Sequence, residues 1–404
     1  MATLGVKVAP WAVLLSLVAC GNDPPAAIDR ARGISGGALA GHLEVLVVDE
    51  QTQLPISSTV EVVDGAGNTV GTANGDGPFV FDGATLVAPL TVRVRSAARP
   101  QALVGLAGAR AVIGVSNATT QRVDGRVLGA DRLGAISVVA GALAPVSFVR
   151  TDALGRGETV ACVPDASGCA FQISAASSSA ATIVATLRDA DGHALGFGLT
   201  SIAAGSAELT LPPTLMPSQT LMVPAALDPP AGLGAVVGVP GLATPAGFVF
   251  LEQAPSADGQ IVVPELAAME GNPSWWLIAD ARGGTGARSV ILQRGLRDPS
   301  AVGVWPAWLA VPDASVAADG VITLIAVPGA TLYAVDWLDA SAEVLASALS
   351  VDASAPIRFT PPPDAVSIRV RAIDAIGASA SSLDLTAAER TITRFSEMTF
   401  ALTP

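Results

Sequence analysis

Serine, histidine and acidic side chains are where hydrolytic chemistry would have to reside, and the sequence offers few places for it. Gly33-Ile34-Ser35-Gly36-Gly37 matches G-x-S-x-G. A serine there becomes a nucleophile only on a strained strand-to-helix turn with a base beside it, and the surrounding Pro, Gly and charged residues read instead as a tether. The histidines are His42 and His193; the first opens a strand pattern and the second follows a turn, so both read as surface residues rather than bases. The one lysine, Lys7, lies in the N-terminal segment, which leaves no Schiff-base or P-loop lysine downstream. Asp189-Ala190-Asp191-Gly192 begins like a calcium loop, but His193-Ala194-Leu195 supplies neither the third oxygen ligand nor the distal glutamate such a loop needs. A β-turn fits it better, as it does Asn74-Gly75-Asp76-Gly77. The residues assign no catalytic centre, no metal and no cofactor.

Binding chemistry is better represented. Trp275, Trp276, Trp305 and Trp308 crowd into residues 216–312. Trp275 and Trp276 are adjacent in a strand pattern, so their rings point to opposite faces. An outward Trp276, or Trp305 and Trp308, could form a flat platform for the apolar face of a sugar ring. Burial in a core or an interdomain seam is the commoner fate of tryptophan. Cys162 and Cys169 close a small loop over Pro164-Asp165-Ala166-Ser167-Gly168. In an oxidising compartment such a pair forms a disulfide, worth roughly 2–3 kcal/mol on chain entropy.

The third cysteine has a different setting. One positive charge precedes an apolar run from Val8 to Val18, which ends in Leu17-Val18-Ala19-Cys20. The run is too short to span a bilayer as a helix, and its end resembles the lipobox of bacterial lipoproteins. That resemblance implies a signal peptide over 1–19 and lipidation of Cys20, with palmitate among the acyl chains. At ~0.8 kcal/mol per buried CH₂, two or more chains anchor stably. Gly21 rather than Asp after the cysteine leans, by analogy with the best-known sorting rule, towards the outer membrane. Residues 20–37 would be the lipidated cysteine and a flexible tether. The formal charge is −13, with arginines scattered rather than striped, which excludes a phosphate-neutralising nucleic-acid surface and adsorption to anionic lipid. Attachment to the envelope must therefore be covalent. Pro229 to Leu251 carries no charge, yet Pro240 and Pro245 break any spanning helix, so AVVGV and GFVFL read as adjacent buried strands.

The elements around these residues are strands. Leu43, Val45 and Val47 alternate with polar neighbours, as do Val60 and Val62, Phe79 and Phe81, and Leu90, Val92 and Val94. Period two with polar partners predicts half-buried antiparallel strands, with turns at DGAGN (64–68) and NGDG (74–77). Val47-Val48-Asp49, Thr52 and Pro55, the acid-Gly turn before Phe79-Val80-Phe81, and Leu90-Thr91-Val92-Arg93-Val94 together resemble the carboxypeptidase regulatory-like domain, a transthyretin-like sandwich of the carbohydrate-binding-like fold group. Ser57-Ser58 stand where that family usually has Gly-Ala, and the usual aromatic before the last strand is missing.

Further on, ISVVAGALAPVSFVRTD (136–152), AVVGVPGLATPAGFVFLEQ (235–253) and TLIAVPGATLYAVDWLD (323–339) form a weak repeat. Each is followed by a second strand: AATIVATLRDADG (180–192), SWWLIADARGG (274–284) and SIRVRAIDAIG (367–377). The spacing of about 100 residues suits one sandwich each. Tyr333-Ala334-Val335-Asp336-Trp337 and Arg369 to Gly377 resemble a fibronectin type III domain, without its usual early-strand tryptophan.

The expected fold class is all-β, in tandem immunoglobulin-like and transthyretin-like sandwiches spanning 38–120, 121–215, 216–312 and 313–404 of the 404 residues. The expected function is a non-catalytic cell-envelope lipoprotein serving adhesion, scaffolding or ligand binding, with carbohydrate or an envelope protein as partner. The alternatives are a carbohydrate-binding accessory of a polysaccharide-degrading system and, more remotely, a hydrolase whose paired carboxylates leave no local signature.

Overall fold

Alternating apolar side chains close the first sandwich as their period requires. The computed structural model describes residues 32–49, 54–115 except 98, the strands between 120 and 210, and 217–402. The last range is broken at 224–227, 235, 245–246, 251–258, 267–272, 285, 299–301 and 386–391, and for residues 120–210 the description is essentially of strand backbone. The strands are β1 (Gly33–Ala38), β2 (His42–Asp49), β3 (Ser58–Val63), β4 (Thr69–Gly75), β5 (Phe79–Asp82), β6 (Leu90–Ser96), β7 (Gln101–Leu106) and β8 (Gly108–Val115). One layer runs β1-β8-β2-β5 and the other β7-β6-β3-β4. Leu43, Val45, Val47, Val60, Val62, Leu90, Val92 and Val94 fill the space between them, each at most 1% exposed. Leu46 and Val48 of β2 and Val112 of β8 make a second small cluster on the far face, so β2 is buried on both sides rather than half-buried. Val48 bridges Pro55 antiparallel. The DGAGN hairpin is held by Asp64, whose carboxylate accepts from the Asn68 backbone (2.8 Å) and side-chain amide (3.0 Å).

β1 starts inside the segment expected to be a tether. It pairs with β8 on one side and with β28 (Leu383–Asp384) on the other. The G-x-S-x-G sequence therefore forms a strand, and its first glycine has a structural role. Gly33 has φ +130°, and a Cβ there would stand 1.7 Å from the Leu383 carbonyl oxygen. Gly33→Ala combines a left-handed backbone with a backbone collision, so it should strip β28 from β1 and cost about 1–3 kcal/mol. Hydrogen exchange that stayed unchanged around Leu383 in this variant would refute that.

The next strands are β9 (Thr120–Leu128), β10 (Ile136–Gly141), β11 (Thr159–Cys162), β12 (Cys169–Ala176), β13 (Ala181–Arg188), β14 (Ala194–Ile202) and β15 (Ser206–Thr210). They form the sheets β11-β10-β13-β14 and β12-β9-β15. Then come β16 (Ser218–Met222), β17 (Val236–Thr244), β18 (Gly247–Phe250), β19 (Gln260–Pro264), β20 (Ser274–Arg282) and β21 (Arg288–Leu296). The pair β16-β19 covers the face of β18-β17-β20-β21 over Leu221, Leu242, Ile261, Val263 and Leu277. The two apolar runs of the uncharged stretch are neighbours, β17 pairing antiparallel with β18. No helix among the described residues is long and apolar enough to cross a membrane.

The remaining strands are β22 (Ala314–Val316), β23 (Val321–Leu324), β24 (Leu332–Leu338), β25 (Val344–Ser350), β26 (Ile357–Arg358), β27 (Ser367–Asp374), β28 and β29 (Arg394–Ala401). Three strands, β22-β23-β26, oppose four, β25-β24-β27-β29. Trp337, Tyr333, Val335, Ile322, Ile357 and Val370 are buried between them, and the Trp337 ring lies 4.7 Å from that of Phe359. The fold is all-β with sandwich packing. The strand following each expected repeat pairs antiparallel with one of its two runs, though not the equivalent one: β13 and β20 pair with the first runs, β10 and β17, whereas β27 pairs with the second run, β24, the first lying at the end of β23 in the opposing sheet.

Three of these sandwiches are not separate beads. Their sheets join edge to edge into one of twelve strands, β18-β17-β20-β21-β29-β27-β24-β25-β7-β6-β3-β4. β21 pairs antiparallel with β29 through Arg288–Ile291 and Arg394–Glu397. β25 pairs parallel with β7 through Ser347–Ser350 and Gln101–Val104. The C-terminal sandwich thus sits between the first and the third, and hydrogen bonding runs on across the expected boundary near residue 312. A single apolar cluster carries Val45 and Val92 of the first sandwich, Ile278 and Val290 of the third, and Leu332 and Phe395 of the last. Strand edges that would template aggregation are consumed by these junctions.

Candidate functional site

Across the middle of the twelve-stranded sheet, on the face that packs into the shared core, lies a row of charges. Residues at i and i+2 share a face, so Asp336 of β24 projects beside Leu332 and Ala334 while Trp337 points into the opposite core. Asp280, Arg288, Glu397, Arg371, Arg369 and Asp336 occupy five successive strands, β20-β21-β29-β27-β24. Arg288 clamps Asp280 with two bonds, Nε to Oδ1 at 2.8 Å and Nη2 to Oδ2 at 2.9 Å. Arg282 adds a third at 2.9 Å. Arg288 also reaches Glu397 (3.4 Å), whose other oxygen lies 3.6 Å from Arg371 Nε. Arg371 bonds Asp336, which further accepts from Arg369 Nη2 (3.3 Å) and Ser347 Oγ (2.8 Å). Asp280 and Arg371 are fully buried.

The electrostatics follow from the neighbours. Burial works against the charged form of Arg288, but the Asp280 hydrogen bond and the Asp280 and Glu397 charges hold its pKa above the ordinary guanidinium value. Arg369 goes the other way: burial and the adjacent Arg371 charge lower it, against the pull of Asp336 and Glu397. Each carboxylate of the row faces an arginine rather than a second carboxylate, so the row can neutralise charge and fix register but has no acid–base pair to offer a substrate.

The tryptophans divide between two cores. Trp275 is fully buried and donates Nε1 to the Pro264 carbonyl (3.3 Å). Trp305 and Trp308, from the segment after β21, pack half-buried against the same cluster, and neither Nε1 has a hydrogen-bond partner among the described residues. Trp276 points to the other face, as neighbouring strand residues must, and packs half-buried on the shared core. Arg294 lies over its ring at 4.5 Å, within cation–π range, and donates to the Ile392 carbonyl. Burial pushes the Arg294 pKa down to about 10. Trp275 has no free face, and Trp276 has one face under a guanidinium. The fifth downstream tryptophan, Trp337, is wholly inside the C-terminal core.

His42, at the start of β2, pairs in register with Asp82 of β5, Nδ1 to Oδ1 at 2.6 Å, and both are exposed. Cys162 ends β11 and Cys169 begins β12, strands of two different sheets; their side chains and the loop between them lie outside the described residues, as do Cys20, His193 and Asp189-Ala190-Asp191-Gly192. The charge row went unread in the sequence although a signal was present. WWLIAD, LYAVDWL and IRVRAID each place a charge at an otherwise apolar inward position, where it must find a partner.

These observations define an array of fused β-sandwiches braced by a buried ion row. No family model matches the chain, and no curated protein matches it. Among solved structures it aligns at 10% identity with the Bacillus anthracis TIE protein, over 66% of this chain and 47% of that one, with a TM-score of 0.17. It therefore spans about half of that relative's length. BcpA, the major pilin subunit of Bacillus cereus, gives 10% identity over 69% of this chain and 90% of its own, TM-score 0.17. A streptococcal ancillary pilin gives 9% over 77% and 99%, TM-score 0.16. Overlaps this low leave the fold to be argued from the chain itself.

Proposed function

We propose that this chain is a non-catalytic lipoprotein of the cell envelope that displays a rigid β-sandwich array for adhesion or scaffolding, held at the outer membrane through lipidated Cys20. The observation that carries the reading is the twelve-stranded sheet. Three sandwiches that could have been joined by flexible linkers join their sheets edge to edge and share a core instead, which suits a spacer that must keep its length and direction. The three-on-four strand arrangement of residues 314–401 supports the fibronectin type III likeness, and the bridge between Val48 and Pro55 supports the carboxypeptidase regulatory-like one. Within the second sandwich, Cys162 and Cys169 would close a disulfide at the β11–β12 connection.

Labelling cells with a palmitate analogue tests the anchor. The wild-type protein should take up label and fractionate with membranes, and Cys20→Ser should lose both. A protein that stays unlabelled while Cys20 is present, or a Cys20→Ser form still membrane-bound, would overturn the reading.

A further inference from the structure

The junctions between sandwiches leave the twelve-stranded sheet with two ends. At one end β18 is four residues long and lies against β10 and β13 of the second sandwich. At the other end β4 runs for seven residues. Among the described residues β3 is its only strand partner, and no backbone group of Thr69–Gly75 bonds outside that ladder. None of the seven residues is buried. Gly71 and Gly75 have no side chains, so their partial exposure is that of the backbone itself.

An open edge is a template for another strand, and folded proteins usually guard it with charge, proline or a covering element. β5, the edge of the facing layer, carries such a guard in Asp82, which is bonded to His42. β4 reads TVGTANG, without a charge or a proline. Its one register irregularity skips Val70, near its start, and leaves 71–75 regular. In this it matches β7 (QALVGL) and β25 (VLASALS), two uncharged strands that already meet edge to edge across sandwiches. The charge beside it on β3, Glu61, is taken up by Arg93 (3.1 Å) and Thr69 (2.6 Å).

We propose that β4 is the docking edge for a second copy of this chain, β4 pairing antiparallel with its own counterpart about a twofold axis at Ala73. A twofold interface must be self-complementary, and this one is. Ala73 lies opposite Ala73, Gly71 opposite Gly75, and Thr72 opposite Asn74, so small residues meet on the core side and polar ones on the outer. Asn74 Oδ1 already accepts from Thr59 (2.6 Å), which leaves its amide N–H to donate to the Thr72 hydroxyl of the other copy. The next position sets Asp76 against Val70, so no like charges are opposed even though each copy carries a formal charge of −13. A pairing this short buries less than the ~1,200 Å² at which standard interfaces begin, so the dimer should be weak and reversible. One sheet would then run through both copies. This inference goes beyond the display role and does not depend on the lipid anchor.

The test is thiol crosslinking of the purified full-length chain at ~50 µM, enough to populate a dimer with Kd near 10 µM. In Thr72→Cys the two thiols face each other across ~7–8 Å, the diagonal of an antiparallel pair, within reach of bis-maleimidoethane. Ile376→Cys, 68% exposed in the last sandwich, is the control for random collision, and the unsubstituted chain gives the background of the native cysteines. Adding Asn74→Lys to Thr72→Cys places a guard lysine on the edge. A lysine beside a thiol favours the thiolate, so lost crosslinking would not come from lost reactivity. Thr72→Cys should give at least about fivefold more crosslinked dimer than Ile376→Cys, and the guard lysine should return it to background while the unfolding midpoint stays near wild type. Dimer no more abundant than in Ile376→Cys, or dimer that persists with Asn74→Lys, would overturn the proposal.

Discussion

Arg371→Met should destabilise the protein by about 3–5 kcal/mol, the range for removing one partner of a buried ion pair. Arg371 is fully buried and its guanidinium stands between Asp336 and Glu397. Methionine fills much of the same volume, so the loss comes mainly from two carboxylates left with less compensation rather than from a void. Ser347 and Arg369 still hold Asp336, and Arg288 still holds Glu397, which sets the lower end of the range. Arg371→Lys should recover only part of the loss, because one ammonium cannot present the planar fork that serves two acceptors. Pairing Arg371→Met with Asp336→Leu should cost less than Arg371→Met alone, since the second change removes a stranded charge. Urea unfolding of the three variants measures this directly. A double variant no more stable than the single would show that Asp336 is not what Arg371 compensates.

The strands of the first sandwich were legible because their alternation is regular. Every apolar residue picked out by period two between Leu43 and Val94 lies in the shared core. The opposite pointing of Trp275 and Trp276 was equally legible, for the same geometric reason. What the pattern could not carry was partnership between sandwiches. β7 and β25 meet as parallel strand edges, and nothing in Gln101–Val104 or Ser347–Ser350 specifies that one edge seeks the other. The strand at Gly33–Ala38 was hidden differently: its glycines read as tether, yet Gly33 is glycine because Leu383 leaves no room for a side chain. The seam between the first and last sandwiches was out of reach altogether, since Asp64 and Pro89 on one side come beside Asp352 and Arg358 on the other only after segments far apart in the chain dock.

Phe395→Ala should cost about 3–5 kcal/mol as a large-to-small core change, and its larger consequence is where the loss is felt. Phe395 is 1% exposed on β29, between β21 of the third sandwich and β27 of the last, with the Arg288 guanidinium 5.6 Å from its ring centroid. Its ring joins the cluster that also holds Ile278 and Val290 on one side and Leu332 and Ile373 on the other. Sandwiches linked like beads would confine the damage to the last one, and Trp275 of the third would report an unchanged transition. In a sheet continuous through β29, loss of the ring weakens both neighbours together. Trp275 and Trp337 are fully buried in different cores, so variants keeping one or the other as fluorophore report the third and last sandwiches separately. Both should unfold at one midpoint in the parent protein and shift together in Phe395→Ala, as a single cooperative unit requires. Two separated transitions, with only the Trp337 signal displaced, would mean that the β21–β29 junction contributes no coupling and that the array is not rigid at that point.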